Sequence, residues 1–299
     1  MPSDTGKLGP EFTYDLTELK KVDPALVRYT ETGAVATGME APRAIALAPG
    51  GRLLVAGDKQ VITFTDGTAT GALAPGGSPH CLAAGPDGTV YVGLKDHVEV
   101  YLDAGLKRRA PWKPLGERAY TTGLAAGRDD IFVADAGSRV LWRFNAEGKV
   151  LARIGEKDEA KHAPGLVIPS PYFDVALGPE GMLWITDPGR RRVECYTHDG
   201  EYRFAWGKAS MKIEGFCGCC NPTHLAIDAC GRFFTSEKGL PRVKRYDPQG
   251  DFECVVAPPK ALADGTTGLD LAVDDAGRVL VLDPHRREVR IFEGKKGNA

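Results

Sequence analysis

Gly127-Arg128-Asp129-Asp130-Ile131-Phe132-Val133-Ala134-Asp135-Ala136-Gly137-Ser138-Arg139-Val140-Leu141-Trp142-Arg143-Phe144 decides the reading of the fold. A polar turn leads into a β-rich run that ends in an acid. A second turn then leads into another β-rich run. The segment before it, Thr121-Thr122-Gly123-Leu124-Ala125-Ala126, is one of six that align along the chain. The others are 42–47, 79–84, 172–177, 222–227 and 268–273, and all six hold an alanine at the same place. These are Ala46, Ala83, Ala125, Ala176, Ala226 and Ala272, at intervals of 37, 42, 51, 50 and 46 residues.

Each segment is followed by a turn, such as Pro86-Asp87-Gly88 or Pro179-Glu180-Gly181, and then by a second strand-like run. Four of these runs end in an acid: Asp135, Asp187, Glu237 and Asp283. About four strands every ~40–50 residues is the pattern of a propeller blade. The chain is therefore predicted to be all-β: a six-bladed β-propeller of four-stranded antiparallel blades. Alanine recurs because the innermost strands converge on the axis, where a larger side chain would collide with its neighbours. Too few residues follow Ala272 to complete the last blade. The segment Ala25-Leu26-Val27-Arg28-Tyr29-Thr30 is predicted to pair with that blade and close the ring, which removes an exposed edge. Residues 1–24 then form an N-terminal arm and residues 25–299 one domain.

The repeat resembles the NHL family, over roughly residues 41–292. Ala134-Asp135 with Arg139-Val140, and Thr186-Asp187 with Arg192-Val193, fit that family's Asp…Arg-Val pattern. The first two blades depart from it, with Gly57-Asp58-Lys59-Gln60 and Leu94-Lys95-Asp96-His97 in that place. The resemblance implies that the segment leading into each inner strand faces the mouth of a central channel. It also implies a structural role for the four acids, as acceptors for loop amides.

Composition excludes several classes. The net charge of -2 gives no electrostatic footprint for nucleic acid, and no apolar run approaches the ~20 residues a membrane helix needs. No Gly-rich phosphate loop, Gly-x-Ser-x-Gly elbow or His-Glu-x-x-His occurs. The N-terminus lacks a basic-then-apolar signal pattern. The expectation is a monomer, periplasmic or secreted if a signal has been removed and cytoplasmic otherwise.

The chemistry concentrates in Gly215-Phe216-Cys217-Gly218-Cys219-Cys220-Asn221-Pro222-Thr223-His224, which holds three of the seven cysteines. Two residues before the six alanines stand Ala44, Cys81, Gly123, Asp174, His224 and Asp270. Side chains alternate along a strand, so these six share a layer around the axis, on the mouth side of the alanines. His80 and Arg43, one residue earlier in their segments, can lean into the same space.

Three readings stay open. A transition metal (zinc, copper or iron) is bound by ligands drawn from Cys217, Cys219, Cys220, His224, Asp174, Asp270, Cys81 and His80. Alternatively a disulfide forms, either between the adjacent Cys219 and Cys220 or between Cys217 and Cys230, which favours an exported protein. In the third reading the aspartates cap turns and His224 is a satisfied inner histidine. For an enzyme, the candidate catalytic carboxylates are Asp174, Glu237 and Asp270. Related six-bladed propellers include peptidyl-hydroxyglycine amidating lyases and gluconolactonases. The resemblance therefore implies a metal-dependent lyase or hydrolase acting on a small-molecule or peptide ligand at the mouth. The alternatives are a non-catalytic interaction or sensor propeller with a disulfide-braced loop, and a thiol redox or metal-handling protein.

Overall fold

The structure, a computed structural model, describes residues 17–102 and 107–295. Most of the expected N-terminal arm, residues 1–16, lies outside the described residues. Among the described residues, six four-stranded antiparallel sheets form a six-bladed propeller, and a two-stranded ribbon, Lys157–Asp158 with Ala163–Pro164, stands apart from the blades. From inner to outer strand, blade 1 is Pro42–Ala48, Arg52–Gly57, Gln60–Thr65 and Thr68–Leu73. Blade 2 is Cys81–Ala84, Val90–Gly93, Val98–Leu102 and Lys107–Arg108. Blade 3 is Thr121–Ala126, Asp130–Asp135, Val140–Asn145 and Val150–Ile154. Blade 4 is Val175–Leu177, Leu183–Asp187, Arg192–Tyr196 and Tyr202–Trp206. Blade 5 is His224–Ile227, Phe233–Glu237, Arg242–Tyr246 and Phe252–Ala257. Blade 6 takes Leu271–Val273, Val279–Asp283 and Glu288–Gly294 from the C-terminal part of the chain and Tyr29–Ala36 as its outer strand.

The closing strand therefore comes from the N-terminal side, but it starts later than the sequence suggests. Only Tyr29 and Thr30 of the expected segment belong to it. Pro24–Leu26 is a short 3-10 turn, as expected where a proline fixes φ and lacks a donor. Pairing runs from Tyr29 opposite Gly294 to Ala36 opposite Glu288, with a bulge at Glu31/Gly33. Arg290, 2% exposed, reaches from the third strand of blade 6 to Glu31 of the closing strand at 2.5 Å and to Asp283 at 3.2 Å. The inner strand of blade 6 in turn lies against that of blade 1, which completes the ring.

The six alanines occupy one register. Each pairs with the middle of its neighbouring strand: Ala46 with Leu54, Ala83 with Tyr91, Ala125 with Phe132, Ala176 with Trp184, Ala226 with Phe234 and Ala272 with Leu280. The core lies between blades. Between blades 5 and 6, Phe234, Val243, Val256, Leu269, Leu271, Val281 and Phe292 pack together with Tyr29 of the closing strand. Burying each large apolar side chain contributes roughly 1.5–3 kcal/mol. The tryptophans serve the same packing: Trp184 and Trp206 of blade 4 both meet Phe233 of blade 5, at 4.5 and 4.9 Å between ring centres.

The four acids that end the second strands all accept loop amides. Asp135 Oδ1 accepts from Tyr120, Gly137 and Ser138. Asp187 accepts from Arg190, Asp283 from Arg286 and Glu237 from Cys217. Blade 5 differs from blade 4 in one buried charge. Glu194 of blade 4 pairs with Ile185, and the equivalent partner of Thr235 in blade 5 is Lys244. Lys244 is 0% exposed, and its ammonium meets Glu237 Oε1 at 2.8 Å and donates to the carbonyls of Gly215 at 2.7 Å and Ile213 at 3.1 Å. Arg242 meets the same Glu237 oxygen at 2.7 Å. This swap fixes the segment that leads into the cysteine loop.

Candidate metal centre

Blades 4, 5 and 6 each place one polar side chain in the layer above the alanines. His224 Nδ1 lies 3.6 Å from Asp174 Oδ2 and 3.4 Å from Asp270 Oδ1. Among the described residues these three form the one group of His, Cys, Asp or Glu side chains whose ligand atoms all lie within 4.8 Å of one another. The other half of the layer is filled by Ala44, Cys81 and Gly123. Gly123 is required there: a Cβ on it would stand 2.4 Å from Asp174 Oδ1.

Both carboxylates are also clasps between blades. Asp174 Oδ1 accepts from its neighbour Val175 N at 2.9 Å, and Oδ2 accepts from Leu225 N of blade 5 at 3.0 Å. Asp270 Oδ1 accepts from Leu271 N at 2.8 Å, and Oδ2 from Ile45 N of blade 1 at 2.7 Å. Each oxygen keeps a further lone pair. Periodicity points to the layer, but it gives no signal for these amide contacts, which depend on where the adjacent blade sits.

The electrostatics follow from enclosure. Burial pushes Asp270 up to about 6, with His224 pulling it down and Asp174 raising it further. Burial alone would depress His224, but the close approach of Asp174 and the charges of both aspartates leave it above the ordinary imidazole value. The trio thus has a strong demand for positive charge in a confined place, met by a proton on His224 or by a cation.

The layer encloses a chamber of about 70 Å³. That is room for an ion with a few waters and too little for an organic ligand. Arg43, His80, Thr122 and His224 line both this chamber and a wider cavity of about 540 Å³ above it, whose wall includes Tyr120 and Tyr172. The wider space is of ligand size. Sequence patterning signalled Arg43 and His80 but neither tyrosine.

Of the remaining candidates, His80 and Cys81 line the chamber without joining the trio, and the others fall elsewhere. His80 stands at the wall with Nδ1 3.3 Å from the carbonyl of Thr121 and its ring 4.6 Å from that of Tyr120. Its pKa is lowered, first by burial and then by Arg43. Cys81 lines the same chamber outside the trio, and burial pushes its thiol well up. Glu237 is 1% exposed and spent on Arg242, Lys244 and the Cys217 amide.

Cys217, Cys219 and Cys220 do not join the trio. Cys217 and Cys219 line a separate, apolar cavity of about 720 Å³ with Met211, Lys238 and Leu240, and Thr267 borders both this cavity and the mouth. Cys219 and Cys220 are free thiols with sulfurs 3.4 Å apart, and Cys217 and Cys230 are free as well. The hydrogen bond and charge of Cys220 raise the Cys219 pKa, while Lys238 and Arg191 pull it down. The arginines of 190–192 and 286–287 are engaged: Arg190 with Asp187, Arg192 with Glu194, Arg286 with Glu288 and Arg287 with Glu40, while Arg191 donates to the Gly218 carbonyl.

No protein-family model matches the chain, and no curated protein matches it in sequence. Solved structures do match in fold. A protein of unknown function from Bacteroides thetaiotaomicron superposes with a TM-score of 0.63 at 16% identity, covering 88% of this chain and 71% of that one. A streptogramin B lyase gives 0.63 at 11% identity, covering 91% and 100%. A catalytically inactive histidine-to-alanine variant of virginiamycin B lyase from Staphylococcus aureus, solved with quinupristin, gives 0.58 at 11% identity, covering 88% and 99%. At these identities the likeness establishes the fold alone.

Proposed function

We propose that this protein is a metal-dependent propeller enzyme of the lyase class. In this reading Asp174, His224 and Asp270 hold one divalent ion beneath a ligand-binding mouth. The observation that carries the proposal is the convergence of two carboxylates, one buried and one half-buried, on one imidazole nitrogen, at 3.6 and 3.4 Å. The residues fit an ion. Each contributes one atom, the carboxylate oxygens retain lone pairs, and the chamber admits water to complete the shell. One imidazole and two carboxylates suit manganese, iron, zinc or magnesium, and with no thiolate in the set copper(I) is a poor match.

A bound ion would act as a Lewis acid on a ligand oxygen. The chain's own part is positional. The backbone amides of Leu225 and Ile45 hold the two carboxylates in fixed orientations. The mouth, with Arg43, His80, Tyr120 and Tyr172, would seat a polar ligand over the chamber. The lyase class is favoured by the names of the similar folds, in one of which a histidine-to-alanine change is described as catalytically inactive.

A second reading has a specific observation in its favour. Because both carboxylates also clasp the next blade, the trio can serve as a ring lock with a protonated His224 as its cation. Metal titration of the chelator-treated, tag-free protein separates the two. One ion per chain, lost on His224→Ala, supports the enzyme reading; no binding supports the lock.

A further inference from the structure

The cysteine loop is held more firmly than a surface loop requires. Asn221, wholly buried, donates to the carbonyls of Cys217 at 2.7 Å and Lys238 at 3.0 Å and accepts from the Lys238 amide at 2.9 Å. Arg191 donates to the Gly218 carbonyl at 2.7 Å. Glu237 takes the Cys217 amide, so the buried charge cluster of blade 5 anchors the start of the loop. Cys220 is held at φ 65, a left-handed conformation that non-glycine residues seldom adopt and that clusters at functional sites.

This bracing produces an asymmetric pair. Cys219 is exposed at the rim of the apolar cavity, and Cys220 is 5% exposed directly behind it, with the sulfurs 3.4 Å apart. A two-thiolate metal site needs both sulfurs to reach the ion. Here only one meets solvent, and the other is accessible chiefly to its neighbour. Cys220 raises the exposed thiol's pKa, and Lys238 and Arg191 beside it act in the opposite direction.

We propose that Cys219 and Cys220 form a thiol–disulfide exchange pair acting on a disulfide with an apolar arm, which the adjacent cavity receives. In the first step the Cys219 thiolate attacks one sulfur of R–S–S–R′. A Cys219–S–S–R bond forms, the S–S bond of the ligand breaks, and R′–S⁻ leaves and takes up a proton. In the second step the Cys220 thiolate attacks the Cys219 sulfur and expels R–S⁻. The protein has then lost two electrons and two protons to the ligand, which departs as two thiols. The role of Met211, Leu240 and the aliphatic part of Lys238 is to receive the apolar arm during the first step. This chemistry is independent of the Asp174–His224–Asp270 centre.

The test uses reduced protein in a Cys230→Ser background, because Cys230 is the other exposed thiol. Dithiobis-nitrobenzoate, an aromatic disulfide, is the probe, followed by absorbance and by intact mass. The expected result is fast release of two thionitrobenzoates per chain, no adduct on the protein and a mass lower by two hydrogens, reversed by dithiothreitol. Cys220→Ser is expected to release one and retain one as a stable adduct on Cys219. Cys219→Ser, a change at an exposed position that the fold tolerates, is expected to lose the fast phase. A stable adduct on Cys219 with Cys220 intact, an unreactive Cys219, or a Cys219→Ser variant that reacts like its parent would each overturn the proposal.

Discussion

His224 Nδ1 lies 3.4 Å from Asp270 Oδ1, although the two residues belong to different blades and are separated by the whole of blade 5 in sequence. The contact changes the chemistry of both partners. Burial would hold the imidazole neutral, and the aspartates reverse that and raise its pKa. Asp270→Asn removes one of the two opposing charges. The His224 pKa is then expected to fall, measured by the imidazole resonances in an NMR pH titration. An unchanged value would mean that Asp270 does not act on the ring.

Stability should depend on pH through the same trio. Asp270 rises from 3.8 to about 6 in the folded protein, and His224 rises above 6.5. In both cases the native state binds more protons than the unfolded state, so stability falls as pH rises. The Asp270 contribution is complete below pH 3.8 and gone above about 6. That of His224 is complete below pH 6.5 and lost as pH rises through its raised native value. A divalent ion meets the same demand for positive charge. Its stabilising increment in Tm is therefore expected to grow from about pH 5 to about pH 8, since protons and metal compete for the ligands. An increment that is flat across that range, or absent, would count against ion binding at this site.

Gly123→Ala tests the layer from its empty side. The new Cβ would stand 2.4 Å from Asp174 Oδ1 and 3.0 Å from the Asp174 backbone. The carboxylate must turn away, breaking its bonds to Val175 and Leu225. Loss of metal affinity by at least about tenfold is expected, the equivalent of roughly 1.4 kcal/mol, together with a lower Tm. Wild-type affinity in this variant would show that Asp174 is not a ligand.

Glu237 gives a contrasting case. Its removal would leave Arg242 and Lys244, 1% and 0% exposed, without their counter-charge. Glu237→Ala is expected to cost about 3–5 kcal/mol in denaturant unfolding, while any metal bound by the folded fraction keeps its affinity. A variant of normal stability that loses metal would assign Glu237 to the centre instead.

The fold was legible because its cause is periodic. Six alanines recur where six strands converge, and each lies in the register that the spacing implies. The ring layer was legible for the same reason: alternation along a strand places Asp174, His224 and Asp270 two residues before their alanines. The cysteines lie apart from the trio. They sit in the segment leading to His224, but Cys217 is pinned by Glu237 and Asn221 and its loop turns towards the neighbouring cavity, away from the axis. Nearness in sequence could not convey that, because the direction is set by Glu237 at the end of the second strand of blade 5 and by Lys238 just after it, which holds Asn221. The closing strand was legible in origin, as the missing fourth strand of blade 6. Its first residue was not, because the 3-10 turn at Pro24–Leu26 delays pairing until Tyr29.

The most direct test is isothermal titration of chelator-treated, tag-free protein with manganese, zinc and magnesium, alongside His224→Ala and Asp270→Asn variants whose folding is confirmed by circular dichroism. The account predicts one ion per chain for at least one of these metals, with binding lost in both variants. No binding to the parent protein, or binding that survives both substitutions, would contradict it and leave the trio as a clasp between blades.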